Sequence, residues 1–299
     1  MDEWQVGDPI GLGNDAGVPD IPYMGYLNNG DDDEDDVPYD DVVEPKSRDR
    51  ILAEEAFSLQ KQGRYPEALI LIDRALDLNQ NADNWNVKAI VVDNMGNHEE
   101  ALEYYDKSIY LCDDDIVKGN KTQCLYRIAC DRKFRGDYDG ALEYINKALA
   151  LFPDFERGHY LNFKGDILEH LGRHVQSRKC YLLASGMIDE IKELERKEDQ
   201  IKNSDKSLIN IAGTKFYRQS GPLKEGVVVD LIKEPDNEHD ANAIRVELNG
   251  ETVGYVGNGE MTVPEGIKSA SQIKDEFADR TKAEVLFHYL DYYIIAKLI

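Results

Sequence analysis

Cysteine is scarce in this 299-residue chain: Cys112, Cys124, Cys130 and Cys180 form no CxxC pair. That spacing argues against zinc ligation and a disulfide framework, so reduced core thiols are expected. Long apolar runs are missing too, none approaching the ~18 residues of a membrane span. The opening Met1-Asp2-Glu3-Trp4 lacks the positive charge and apolar stretch of a signal peptide, so a cytoplasmic location is expected. No Walker motif, nucleophile elbow or HExxH occurs. Among six histidines only His170 and His174 approach ligand spacing, and Gly172 between them at a helix end spoils a rigid pair. No catalytic residue, metal or cofactor is expected. Positive charge is the remaining shortage, with a formal net charge of −24. Residues 1–45 hold 14 acidic and no basic side chains, residues 46–206 hold 30 against 25, and residues 207–299 hold 15 against 10. Neither later part is basic, which argues against a large footprint on duplex DNA.

Residues 1–45 carry abundant glycine, proline and aspartate without a periodic apolar face, and read as a disordered acidic tail. Trp4, Tyr23, Met24, Tyr26 and Leu27 leave two readings open, a short motif that docks in a groove or a plain solubilising tail. The glycines form no phosphate loop, and the acidic run Asp31 to Asp36 lacks the glycine and closing glutamate of a calcium loop.

Repeats organise the middle of the chain. Gly63, Gly96, Gly136 and Gly172 lie 33, 40 and 36 residues apart, each followed by a similar short stretch. Small residues recur where two helices must approach: Ala56, Ala89, Ala129 and Gly165, then Ala68, Ala101, Ala141 and Ser177. Large ones, Ile72, Tyr105, Ile145 and Tyr181, fill the matching gaps, and Ala75, Ser108, Ala148 and Ala184 face the next unit. This text resembles the tetratricopeptide repeat, an all-α superhelical solenoid with a period of about 34 residues. Four repeats and a capping helix, Ile191 to Ile201, are expected within residues 46–203, with Phe152-Pro153 ending the third unit. The 40-residue step is expected to be a longer loop near residues 113–121. Asn203 to Lys206 reads as a polar linker.

Residues 207–299 change character, so the fold class is α+β multidomain. Val227 to Ile232 is expected to be a mostly buried strand. Ile244, Val246 and Leu248 alternate toward Asn249-Gly250, the dipeptide of a two-residue hairpin turn. A two-residue turn would pair Val246 with Val253 and Ile244 with Tyr255, putting Tyr255 on the apolar face and Gly254 opposite Arg245. A glycine within a strand marks close approach of another backbone or a ligand. A helix over Ile267 to Phe277 is expected, followed by strands from Glu284 to Leu290 and Tyr292 to Ile299.

Lys233-Glu234-Pro235-Asp236-Asn237, Asp240-Ala241-Asn242-Ala243-Ile244-Arg245-Val246 and Val253-Gly254-Tyr255 together resemble the HIRAN domain, a small barrel-like β module. The resemblance implies binding of single-stranded DNA 3′ ends by a basic residue and two aromatics on the first strand, which fall on Lys215, Phe216 and Tyr217. It also implies a pocket acid at Asp240 for a terminal sugar hydroxyl. Tyr255 stands where the end-binding relative has histidine, and Lys215 replaces an arginine, losing the planar two-pronged contact. From the residues alone, Phe216 reads equally as core, and Asp240 as a cap for the turn. In the repeats, register lines a peptide groove with Asn86, Ile90, Asp93, Tyr126, Cys130, Lys133, Asn162 and Asp166. Asp93, Asp166 and Glu169 would repel a carboxylate, so an acidic chaperone tail is a poor fit, and a mixed peptide, such as the chain's own amino-terminal segment, is a better one. His98 and His174 occupy the repeat's tyrosine position and read as structural.

The expected function is therefore a non-enzymatic adaptor. Its β module would engage single-stranded nucleic-acid ends, in DNA repair or processing, while its repeats recruit a protein. The alternatives are a purely protein-binding scaffold and an accessory subunit of a nucleic-acid hydrolase or helicase.

Overall fold

The computed structural model describes residues 46–151, 157–217, 223–259 and 262–299. The expectations placed on residues 1–45 and on Phe152-Pro153 lie outside the described residues. The described residues divide by contacts into two compact units, with the boundary between Gly172 and Arg173.

The first unit contains α1 (Arg48–Lys61), α2 (Tyr65–Leu78), α3 (Ala82–Asn94), α4 (His98–Leu111), α5 (Asp115–Phe134), α6 (Tyr138–Leu151) and α7 (Arg157–His170). These helices pack as antiparallel pairs because alanine occupies the contact positions. Ala56, Ala68, Ala75, Ala89, Ala101, Ala129, Ala141 and Ala148 are all fully buried. The bulky partners Ile72, Tyr105 and Ile145 fill the space those alanines leave, also with no exposed surface. A change such as Ile72→Ala would remove ~2–5 kcal/mol of packing. Each pair turns on a glycine with positive φ, for example 73° at Gly63 and 86° at Gly96, a conformation that costs other residues free energy.

Residues 113–121 are not a loop. Asp114 accepts a hydrogen bond from the Ile116 amide at 2.6 Å and starts the 20-residue α5. Val117 and Asn120 are buried along the added turns, so tertiary packing supplies what a helix with Gly119 lacks in propensity.

The second unit opens with α8 (His174–Ala184) and α9 (Ile188–Lys202), where the expected amphipathic helix is found. Beyond them lie β1 (Leu208–Ala212), β2 (Val228–Lys233), β3 (Ile244–Leu248), β4 (Glu251–Val256), a four-residue helix α10 (Ala270–Ile273), β5 (Arg280–Tyr289) and β6 (Tyr293–Leu298). All strand pairs are antiparallel and close a barrel in the order β1-β4-β3-β2-β5-β6. Ile209, Ile211, Leu231, Ile244, Val246 and Val285 fill its interior. A second core lies outside the barrel wall, where Leu182, Leu194 and Ile201 of α8 and α9 meet Phe287, Tyr289 and Tyr293.

Four expectations change here. The β2 run is not buried throughout: Val229 and Leu231 point inward, but Val228 is 43% exposed, because only one face of a closed sheet meets the core. The β3–β4 turn has two residues, Asn249 at φ 54° and Gly250 at φ 85°. A bulge then shifts the register, so Gly254 pairs with Val246 and Tyr255 with Arg245. Tyr255 thereby leaves the apolar face. The expected helix over 267–277 shrinks to one turn, held by a capping box between Ser269 and Gln272. After that turn, Lys233 draws the chain back to the barrel by donating to the Phe277 carbonyl at 2.6 Å. Strand β5 starts at Arg280, four residues before the expected Glu284, because β2 extends its pairing to Ile232 with Arg280.

Candidate nucleic-acid site in the barrel unit

Gly254 sets the site's shape. A Cβ there would lie 2.6 Å from the Ala212 carbonyl oxygen, so the glycine lets the end of β1 cross close to β4. The approaching group is backbone. Gly213, at φ 75°, then turns the chain into a single 3-10 turn, Thr214–Phe216. Lys215, Phe216 and Tyr217 thus sit just beyond β1 on a tight turn, not on the first strand as the resemblance implied. This turn and the loop after β2 open onto a hollow of about 1000 Å³. Lys215, Phe216, Tyr217, Asp240 and Tyr255 all line it.

Phe216 is 76% exposed, which removes the core reading of that ring. Lys215 is exposed beside it, with Nζ 5.2 Å from the ring centroid. Tyr217 is half-buried, its ring 6.4 Å from that of Tyr255. The bulge at Val253 accounts for Tyr255: on the outer face its hydroxyl donates to Glu234 Oε2 at 3.1 Å. Burial, and then the Glu234 carboxylate, push the Tyr255 hydroxyl up to about 12. Glu234 is held in turn by Arg245 at 2.9 Å and by Asn237 at 3.0 Å.

Asp240 caps the turn as one of its two readings expects, and it also lines the hollow. Its Oδ1 accepts from the Asn242 amide at 2.8 Å, as a turn cap does, and its Oδ2 accepts from Asn258 Nδ2 at 2.8 Å. The carboxylate also faces the hollow, and each ionised oxygen has capacity for a further donor. Aromatic faces, one ammonium and an anchored carboxylate suit a nucleotide whose base stacks and whose sugar hydroxyl donates.

The hollow has walls that sequence reasoning missed. His288, Asp291 and Tyr292 come from the β5–β6 hairpin. The expected break between these strands at Asp291 is found, with Leu290 at φ 51° and Asp291 at φ 63°, but a turn without glycine carries no sign in its text that its side chains line the site.

In the first unit the expected groove residues separate by exposure. Asn86, Ile90 and Tyr126 are buried, as is Asp93. Asn86 accepts from Asn120 Nδ2 at 3.3 Å, and Tyr126 packs against His159, Tyr160 and Phe163 with ring centroids 4.9–5.2 Å away. Asn162 is exposed, while Lys133, Cys130 and Asp166 are half-buried, and Lys133 pairs with Asp166. His98 Nδ1 lies 2.6 Å from Asp93 Oδ1, consistent with a structural role. Donor atoms of Asp93, His98 and Cys124 lie within 4.8 Å of one another, a cluster the sequence spacing did not suggest. Arg127 binds the second Asp93 oxygen, so a dication would meet a guanidinium already in place. Burial pushes the Cys124 thiol far up, away from the thiolate that a metal requires. The set fits a hydrogen-bonded network better than a metal. Among the described residues, no helix is long and apolar enough to cross a membrane.

A tetratricopeptide repeat family model matches residues 54–116 and 126–185, and a HIRAN domain model matches residues 206–260. TPR repeat-containing protein MJ1428 of Methanocaldococcus jannaschii is 30% identical over 92 residues, covering 30% of this chain and 15% of that protein. MJ1345 of the same organism is 36% identical over 61 residues, or 20% of this chain and 19% of that one. The chain thus spans less than a fifth of either relative's length. A crystal structure of MamA aligns with 49% of this chain and 81% of its own at 15% identity, with a TM-score of 0.36. The MamA 41-end structure from Desulfovibrio magneticus RS-1 aligns with 52% and 98% at 15% identity, with a TM-score of 0.28.

Proposed function

We propose that this chain, tetratricopeptide repeats joined to a HIRAN domain, is a non-enzymatic adaptor that holds the 3′ end of a nucleic-acid single strand in the barrel hollow and recruits a protein through its repeats. The HIRAN domain points to nucleic-acid binding and the repeats to protein interaction. One observation carries the finer reading: Lys215, Phe216, Tyr217, Asp240 and Tyr255 converge on a single hollow, with the Phe216 ring uncovered at its edge. Stacking on such rings contributes ~1–3 kcal/mol per base without reading sequence. Asp240 favours a terminal hydroxyl because a hydroxyl donates to a carboxylate, whereas a terminal phosphate would be repelled by it.

Fluorescence anisotropy with a short single strand tests this. A 3′-hydroxyl end is expected to bind more tightly than a 3′-phosphate end, and Asp240→Asn to narrow the difference. Equal binding of the two ends would reject the pocket. Repulsion from a chain of net charge −24 and the few phosphates in reach predict a shallow salt dependence.

A further inference from the structure

Helix α8 brings a cation to the edge of the same hollow. Val175, Arg178 and Leu182 follow three- and four-residue spacing and share one face of that helix. Val175 and Leu182 enter the core formed with Leu194, Ile201, Tyr289 and Tyr293, which fixes this face against the β5–β6 hairpin. Arg178, lying between them in sequence, reaches the hairpin tip, its Nη2 3.1 Å from Asp291 Oδ2. Asp291 and Tyr292 line the hollow on a different wall from the Lys215 turn. The ion pair is solvent-screened, with Arg178 44% and Asp291 76% exposed, and such pairs are held weakly. A phosphate offers the guanidinium a charge-assisted, two-pronged contact that can displace the carboxylate.

We infer that Arg178, on a helix matched by the repeat model, is a second phosphate contact for the strand held by the barrel, and that Asp291 competes with the nucleic acid for it. This rests on the nucleic-acid reading of the hollow. It extends the site beyond the barrel strands: the helix that ends the last matched repeat brings Arg178 to the hairpin tip whose Asp291 lines the hollow. The partner is a single strand long enough to place one phosphate beside Lys215 and another beside Arg178.

The test uses the full chain and a 5′-labelled oligothymidylate with a free 3′-hydroxyl, titrated by anisotropy at several salt concentrations. Arg178→Ala is expected to weaken binding about three- to tenfold and to reduce the slope of log affinity against log salt by about 0.7, the value for one phosphate on a single strand. Asp291→Asn is expected to act in the opposite direction, tightening binding, since it frees the guanidinium and removes a carboxylate; asparagine also tolerates the positive φ there. Arg178→Ala with unchanged affinity and slope, alongside a weakened Lys215→Ala, would overturn the inference and leave the nucleic-acid reading standing. Weaker binding by Asp291→Asn would likewise overturn it. No binding by the unaltered chain would remove both.

Discussion

The Tyr255 hydroxyl meets Glu234 at 3.1 Å and ties strand β4 to the loop that carries Asp240. Asn237 continues the link: its amide donates to Glu234 at 3.0 Å, and its oxygen accepts from the backbone amides of His239 and Asp240 at 3.0 and 3.2 Å. A site acid held by such a chain keeps its direction without a ligand, so less ordering remains to be done on binding.

Alkaline titration should expose this contact. Burial and Glu234 raise the Tyr255 hydroxyl to about 12, and burial raises that of Tyr289 to about 12. Both phenols are raised above the unfolded value near 10, so the folded state favours their neutral forms. Their contribution to stability is complete below about pH 10 and is lost as pH climbs through about 12. Phenolate absorbance should show late-titrating tyrosines, Tyr255 and Tyr289 among them, and denaturant midpoints should fall over that window. Tyr255→Phe should remove one late titration and cost about 1 kcal/mol at neutral pH. Titration of every described tyrosine near the ordinary value would rule out the buried contact.

Phe216→Ala separates binding from stability. The ring is 76% exposed, so its removal should change unfolding free energy by less than about 0.5 kcal/mol. Loss of one stacking surface should still weaken single-strand binding by about 5- to 150-fold. Unchanged affinity with an intact melt would mean that no base rests on this ring.

Gly254→Ala tests how the hollow is shaped. The added methyl carbon would meet the Ala212 carbonyl oxygen at 2.6 Å, together with Ile211 and Thr214 side-chain carbons at 3.1 and 3.3 Å. Backbone must move to admit it, at about 1–3 kcal/mol. The melting temperature should fall, and β1 should separate from β4, displacing Lys215 and Phe216. A variant as stable as the unaltered chain would show that the close crossing is not needed.

Much of this molecule is legible in its sequence because the informative residues act locally. Alanines at the helix contacts, the turn glycines and Asn249-Gly250 each impose a geometry wherever they occur, and the structure places them as their chemistry requires. Nucleic-acid contacts expected at Lys215, Phe216, Tyr217, Asp240 and Tyr255 come together because the motif fixes the loop and the strand ends around it. What escaped the sequence depends on partners distant along the chain. The bulge that turns Tyr255 outward follows from β4 pairing on both edges, and the α5 extension from burial of Val117. Arg178 lies 113 residues from Asp291, and no periodicity or motif links them.

The buried network in the repeats makes thiol chemistry a probe of its integrity. Cys112 is exposed, whereas Cys124 is buried with its thiol pushed far up by burial and by the nearby Asp93 charge. An alkylating reagent should therefore label Cys112 first and reach Cys124 only when the helices open, because the thiolate is the reactive form. The Asp93 side chain has no exposed surface and receives Arg127 on one oxygen and His98 on the other. Arg127→Ala leaves that carboxylate buried without its guanidinium, which should cost about 3 kcal/mol or more. The same change should accelerate Cys124 labelling while leaving the Cys112 rate alone, since the opening that exposes Cys124 becomes more frequent. If Cys124 reacted as fast as Cys112 in the unaltered protein, the helix pairs α3–α4 and α5–α6 would not be closing over this cluster.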